Sequence, residues 1–115
     1  IFSTAQPPIC MAWTDFIFKK VLNLNAQRQH LQQISQTLQQ AVISKGVDCP
    51  STSHIVPVII GESTKTVEKA KALQDAGFYI MPVRPPTVPQ HSSRLRISLT
   101  AQISDVEIAQ LAQLL

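Results

Sequence analysis

The stretch SRLRISLT, residues 93–100, alternates polar and apolar side chains without a break. Successive side chains of a β-strand point to opposite faces of a sheet. We therefore predict a strand over residues 94–100, with Leu95, Ile97 and Leu99 facing a core and the polar side chains on the opposite face. A sheet with one apolar face needs a layer of helices on that side.

Two further strands are predicted, with one helix between them. Residues 55–60 are a continuous apolar run of strand length, in which Pro57 indicates an edge position or a bulge. Residues 78–83 form the second run. The intervening helix, capped by Ser63 or Thr64, is expected to end near residue 76. Its predicted inward side chains are Val67, Ala70 and Leu73. This is a βαβ-like unit, with a right-handed crossover if its strands are parallel.

Two amphipathic helices flank this unit. Residues 25–45 carry a narrow apolar stripe at helical spacing, and Ser104 with Glu107 forms a capping box that opens the last helix. The predicted fold class is α+β, with a small, mostly antiparallel sheet of about three strands that helices cover on one side. The predicted buried stripes of the two helices are Leu31, Ile34, Leu38 and Val42, and Ile108, Leu111, Ala112 and Leu115.

The N-terminal helix, predicted over residues 9–22, is apolar on most of its sides. Pro7 and Pro8 suit its first turn, where no N–H donor is needed. A helix with this pattern must be buried against a partner, and we expect a missing domain or a second subunit. The chain also begins with Ile1 rather than methionine, so we expect a piece of a longer polypeptide.

Composition excludes several classes of function. The net charge is +3, but the lysines are scattered and the only aromatic residues are four Phe, one Trp and one Tyr, so we expect no nucleic-acid partner. No apolar run reaches membrane-spanning length, and we expect no membrane partner. Cys10 and Cys49 lack metal-ligand spacing and are interpreted as reduced thiols in a cytoplasmic protein. The three histidines are dispersed, so no metal site is expected.

Residues 84–96 are rich in arginine and proline. Arg94 and Arg96 share a strand face, and a guanidinium pairs bidentately with carboxylate or phosphate. On the strand alone, two solvated arginines are the simpler interpretation. The preceding loop, RPPTVP, favours a binding site instead, because its prolines hold Arg84 and Thr87 in place at little entropic cost. Rigidly presented polar groups are typical of a binding site.

These residues resemble a known family. RPPTVP at 84–89 and SRLRISLTA at 93–101 resemble the C-terminal small domain of the α-oxoamine synthases, which are pyridoxal phosphate (PLP) enzymes of fold type I. The start, IFSTA with Pro7 and Pro8, is similar to the segment that follows the PLP-binding lysine in this family. The RPPTVP form points to the biotin-pathway branch. The resemblance then implies a decarboxylative acyl transfer from pimeloyl-CoA, or a pimeloyl carrier protein, to L-alanine, which gives 8-amino-7-oxononanoate.

The resemblance also implies roles for individual residues. Arg96 matches the arginine that holds the amino-acid carboxylate, and Arg84 and Thr87 match the loop that lines the substrate entrance. Ser3 and Thr4 match hydroxyls that reach the PLP phosphate of the neighbouring subunit in a homodimer. The lysine that binds PLP lies upstream in the family, so no catalytic residue and no bound PLP are expected in this chain alone. Residues 1–24 would link to the absent PLP-binding domain, and residues 25–115 would form the small domain.

Other interpretations stay open at this stage. The chain departs from the family pattern at His91 and at Ile103, which leaves the substrate less certain than the fold. Another α-oxoamine synthase, such as a glycine C-acetyltransferase, would share most of these features. A stand-alone βαβ module that binds a small acid, and a dimerisation module that uses the first helix, are the alternatives from other classes.

Overall fold

A computed structural model describes residues 4–115 of the chain. It contains four helices and three strands in the described part. In chain order they are α1 (Pro8–Val21), α2 (Asn25–Ser44), β1 (Ile55–Gly61), α3 (Ser63–Asp75), β2 (Met81–Val83), β3 (Ser93–Ser98) and α4 (Asp105–Leu114). This order confirms the α+β class.

The three strands form one sheet in the order β1-β3-β2. Both outer strands pair antiparallel with β3, so β1 and β2 run parallel to each other on its two sides. The last strand of the chain, β3, therefore lies between the two strands of the β1–α3–β2 unit. β1 lies at an edge, which confirms the prediction from Pro57. The register of β1 against β3 shifts between Ile59 and Gly61.

The core lies on the face of the sheet that carries Val56, Leu95 and Ile97, each at most 3% exposed. Helices α2 and α3 pack on the sheet, and α4 packs against α2. Leu99 follows the end of β3 but is buried as predicted, and its N–H donates a 2.9 Å hydrogen bond to the His54 carbonyl. The remaining buried apolar side chains are Ile34, Leu38, Val42, Val58, Ala70, Leu73, Ile80, Ile108 and Leu111.

Helix α3 corrects two predictions. Val67 is 38% exposed, whereas Thr66 is fully buried in its place and donates a 2.6 Å hydrogen bond to the Glu62 carbonyl. A buried hydroxyl is tolerated once it is bonded, so a threonine can occupy the inward position. The N-cap residue is Glu62, without a side-chain cap bond. The Ser63 hydroxyl instead bonds the buried Ser93 hydroxyl at 2.9 Å and ties α3 to β3.

Strand β2 begins later than predicted, at Met81 rather than at residue 78. The Gln74 side chain donates a 2.9 Å hydrogen bond to the Ile80 carbonyl. This bond satisfies a backbone acceptor that would otherwise need a strand partner. Ile80 is buried before the strand begins, while Tyr79 is 83% exposed.

The predicted capping box of α4 is present. The Ser104 hydroxyl accepts from the Glu107 N–H at 3.2 Å, and the Ser104 N–H donates to the Glu107 carboxylate at 2.8 Å. The backbone N–H of Ser104, with a smaller contribution from its hydroxyl, lowers the pKa of the Glu107 carboxyl below its ordinary value. The ionised carboxylate therefore favours the folded state.

Helix α1 buries none of its side chains, although it is the most apolar helix of the chain. Trp13 and Phe18 are each 63% exposed and Ile9 is 77% exposed. Proline occupies the first turn, as predicted. Exposed apolar surface of this kind is typical of a protein–protein interaction site.

Candidate carboxylate-binding site

The sheet face opposite the core carries the two arginines of β3. Arg94 is half-buried and Arg96 is exposed, whereas the alternate residues Ser93, Leu95 and Ile97 are buried. The prediction of one apolar and one polar face is therefore confirmed. β1 and β2 flank the arginines, with Pro57 and Met81 paired to Arg96.

This face contains an open depression of about 420 Å³. Its floor is the outer face of the sheet and its rims are the loops before β1 and after β2. It brings together Arg96 and Thr87, two of the side chains that the resemblance assigns to substrate. The lining residues are Pro50, Ser51, Ser53, Ile55, Pro57, Val83, Thr87, Arg94 and Arg96.

The two arginines of the depression differ in their bonding. Arg94 Nε donates a 3.1 Å hydrogen bond to the Ser92 carbonyl, which fixes its side chain against the strand. Arg96 has no side-chain hydrogen bond and no ion pair among the residues that the structure describes; the two ion pairs found there join Lys19 to Asp15 and Lys65 to Glu62. The guanidinium of Arg96 is therefore free to bind an anion from outside.

The proline loop holds one rim of the depression. The Thr87 N–H donates to the Arg84 carbonyl at 3.0 Å and closes a turn that contains a cis Pro85–Pro86 bond. Arg84 itself is exposed and does not line the depression. The structure thus brings Thr87 to Arg96 but leaves Arg84, which directly follows β2, outside the lining of the depression.

The far end of this loop closes against β1. The Ser92 N–H donates to the Pro89 carbonyl at 3.2 Å, and His91 adopts a positive φ of 61°. Gly61 also has a positive φ, and a Cβ there would lie 3.2 Å from the His91 carbonyl oxygen. A larger residue at Gly61 would therefore push the loop away from the strand.

Sequence reasoning missed the opposite rim, which the loop before β1 supplies. Ser51 Oγ accepts from the Ser53 N–H at 3.1 Å, and Ser53 Oγ accepts from the Ile55 N–H at 3.2 Å. The Gln39 side chain donates to the Ser53 carbonyl at 2.8 Å and joins this rim to α2. Closely spaced serines predict a turn of this kind, but not its place beside the arginines.

The predicted PLP-phosphate hydroxyls lie elsewhere. Thr4 is exposed on the segment before α1 and is not part of the depression. Ser3 lies outside the described residues. Between residues 4 and 115, no three His, Cys, Asp or Glu side chains are grouped so that they could hold a metal ion. In the same part of the chain, no helix has the length and apolarity needed to cross a membrane.

Comparison with known proteins decides the family. The model of the aminotransferase class I and II family matches residues 1–115, the whole chain. The chain belongs to this family. The solved structure of the Sphingomonas wittichii serine palmitoyltransferase matches 99% of the chain with a TM-score of 0.86 and 28% identity.

Two proteins that share an enzyme name are also similar to this family member. An 8-amino-7-oxononanoate synthase from Haemophilus ducreyi is 47% identical over 109 residues, which is 94% of the chain and 28% of that protein. The crystal structure of the Francisella tularensis 8-amino-7-oxononanoate synthase has a TM-score of 0.83 over 99% of the chain and 33% of its own length, at 22% identity, and supports the fold. The chain thus spans about a third or less of the relatives it matches.

Proposed function

We propose that this chain is the small domain of a PLP-dependent acyltransferase that condenses L-alanine with a pimeloyl thioester of CoA or a carrier protein. The products would be 8-amino-7-oxononanoate, CO₂ and the free thiol of CoA or of the carrier protein. The observation that carries the proposal is the guanidinium of Arg96, which has no partner within residues 4–115 and lies in a depression that Thr87 also lines. The similarity to the Haemophilus ducreyi synthase supports the choice of reaction.

Arg96 would bind the carboxylate of L-alanine. A guanidinium and a carboxylate form two parallel N–H···O bonds, which fix both the distance and the plane of the substrate. The Thr87 hydroxyl lies on the same depression and would donate to, or accept from, the substrate beside that pair. Fixing the carboxylate orients the Cα–H bond of the amino acid, which lowers the entropic part of the barrier.

PLP would supply the electron sink for the carbanion chemistry at the alanine Cα. The residues of this chain fit only part of that role. None of the lysines in the described part lines the depression, and Thr4 is an exposed hydroxyl apart from it. We therefore propose that PLP is held mainly by a region outside these residues, and that the chain alone neither retains PLP nor catalyses.

The exposed apolar helix α1 is consistent with a separate domain that holds PLP. We propose that residues 1–24 join the small domain, residues 25–115, to a larger PLP-binding domain, against which Trp13 and Phe18 become buried. In the homodimer of such an enzyme, Ser3 and Thr4 would reach the phosphate of the neighbouring subunit. Eight large apolar side chains of the α1 segment are exposed and would supply the contact surface for such a domain: Ile9, Met11, Trp13, Phe16, Ile17, Phe18, Val21 and Leu22.

A substrate panel tests the reaction. The longer protein that carries this chain is supplied with PLP, and thiol release is followed with L-alanine and pimeloyl-CoA, glycine and acetyl-CoA, or L-serine and palmitoyl-CoA. The proposal requires release that depends on both L-alanine and pimeloyl-CoA. Preference for either other pair would assign the enzyme to another acyl transfer of the same type. No release with any pair, despite bound PLP, would refute the proposed reaction.

A further inference from the structure

Pro57 lies directly opposite Arg96 in the β1–β3 pair. Hydrogen-bonded and non-hydrogen-bonded pairs alternate along an antiparallel ladder. The Leu99 N–H bonds the His54 carbonyl, which makes 54 and 99 a hydrogen-bonded pair. Counting along the register, Pro57 and Arg96 form a non-hydrogen-bonded pair, in which side chains approach most closely.

This register explains why a proline is tolerated in β1. In a non-hydrogen-bonded pair, the backbone groups of each residue point away from the other strand. The missing N–H of Pro57 therefore falls on the free edge of the sheet, where no ladder bond is lost. The N–H and C=O of Arg96 point the other way, towards its partner Met81 in β2. The backbone of Arg96 is thus fixed by β2, and its side chain leaves the sheet on the same face as the ring of Pro57, at the close spacing of a non-hydrogen-bonded pair.

The Arg96 side chain has no polar partner among the described residues, so packing is what can fix its direction. Pro57 is half-buried and lines the same depression as Arg96. A proline ring has no rotamer freedom to lose, and the methylene stem of an arginine packs well along an apolar surface. A rigid wall at this point restricts the guanidinium to fewer orientations before substrate arrives, which reduces the entropic cost of binding.

We propose that Pro57 is a positioning residue for Arg96: its ring supports the arginine stem and aims the guanidinium into the depression. The proposal rests on the proposed role of Arg96 as the carboxylate-binding residue. It assigns to Pro57 an effect on the binding of the substrate carboxylate, beyond any effect on the stability of β1.

The test compares two strand prolines in the PLP-loaded full-length enzyme. Pro57→Ala removes the wall beside Arg96. Pro82→Ala is the matched control, because Pro82 also lies in an edge strand but pairs with Leu95, on the helix-covered face. Isothermal titration calorimetry gives the dissociation constants of L-alanine and of L-alaninamide, which lacks the carboxylate charge. Arg96→Ala is titrated in parallel.

We expect Pro57→Ala to weaken L-alanine binding by about five- to tenfold and L-alaninamide binding by less than about twofold, since only the carboxylate contact depends on the guanidinium direction. Pro82→Ala should leave the ratio of the two constants unchanged. A folded Pro57→Ala enzyme with an unchanged ratio, alongside an Arg96→Ala enzyme that has lost carboxylate selectivity, would overturn the role of Pro57 and leave the proposed function standing. An unchanged ratio in Arg96→Ala would instead refute the role of Arg96.

A second variant covers the case in which Pro57→Ala does not fold. Pro57→Val keeps a branched apolar side chain suited to a strand but lacks the closed ring. We expect a ratio of the two dissociation constants between those of the wild type and of Arg96→Ala. A wild-type ratio in Pro57→Val would contradict the proposal, because the closed ring would then have no effect on the guanidinium.

Discussion

Arg94 Nε donates a 3.1 Å hydrogen bond to the carbonyl of Ser92, two residues earlier in the chain. Arg96, on the same face of the same strand, has no such bond within the described residues. Two arginines that look equivalent in the sequence therefore differ in their bonding. Nε of Arg94 bonds the backbone of its own strand, whereas none of the guanidinium donors of Arg96 has a partner within residues 4–115.

The first prediction concerns the different contributions of Arg94 and Arg96 to stability. Arg94→Ala should lower the free energy of unfolding by about 1 kcal/mol, because it removes a half-buried hydrogen bond and the packing of the side-chain stem. Arg96→Ala should change it by less than about 0.5 kcal/mol, since the side chain is exposed and has no hydrogen bond in the part of the chain that the structure describes. Denaturant unfolding of the two variants measures both values. A larger loss in Arg96→Ala would show that Arg96 has a structural role.

The second prediction concerns pH. The pKa of the Glu107 carboxyl is lowered in the folded state, so its stabilising effect is complete above the ordinary pKa of 4.5 and is lost as the pH falls through the lowered value. Glu107→Gln cannot ionise. The stability difference between wild type and variant should therefore shrink as the pH is lowered from neutral to below that window. Unfolding measured at several pH values checks this, and a difference that grows on acidification would contradict it.

The third prediction compares a buried and an exposed position of helix α3. Leu73→Ala should cost about 2–5 kcal/mol, because Leu73 is only 1% exposed and its truncation leaves a cavity. Val67→Ala should cost less than about 0.5 kcal/mol, because Val67 lies on the outer side of the helix. Chemical denaturation of both variants gives the comparison. Equal losses would mean that Val67 is buried in solution.

The fourth prediction concerns helix α1. Trp13→Glu should change the stability of the 115-residue chain by less than about 0.5 kcal/mol, because Trp13 makes no buried contact there. In the full-length protein the same change should destabilise by several kcal/mol, since a charge would be buried without a partner. Gln33→Glu, on the exposed side of α2, is the control for an added charge. A small effect of Trp13→Glu in both contexts would refute the proposed packing of α1.

Much of this architecture could be predicted from periodicity. The alternation at residues 94–100 specified the inner and outer faces of β3, and the spacing in α2 and α4 identified their buried stripes. The apolar side chain of Val67 predicts an inward position, whereas Thr66 is the buried residue, with its hydroxyl satisfied by a local bond to the Glu62 carbonyl. A rule based on side-chain polarity cannot predict that Thr66, rather than Val67, is the buried residue.

The site was only partly predictable, because it depends on pairing between distant strands. Arg96 and Thr87 could be selected from the strand pattern and the resemblance. The position of Pro57 opposite Arg96 depends on the register of β1 against β3, which neither segment reveals alone. The loop that carries Ser51 and Ser53 likewise lies beside the arginines only because β1, which follows this loop, pairs with β3. Arg84, selected with the same loop, does not line the depression.

The most direct test of the central claim is the KM for L-alanine in the full-length enzyme carrying Arg96→Ala, with Arg94→Ala as the matched variant two residues away. Loss of a charge-assisted bidentate contact of about 1.5–3 kcal/mol should raise this KM by roughly 10- to 150-fold in Arg96→Ala. Arg94→Ala should raise it by less than about threefold, because the Ser92 carbonyl binds Nε of Arg94 and fixes this side chain against the strand. An unchanged KM in Arg96→Ala, or a larger rise in Arg94→Ala, would contradict the assignment of this sheet face as the carboxylate site.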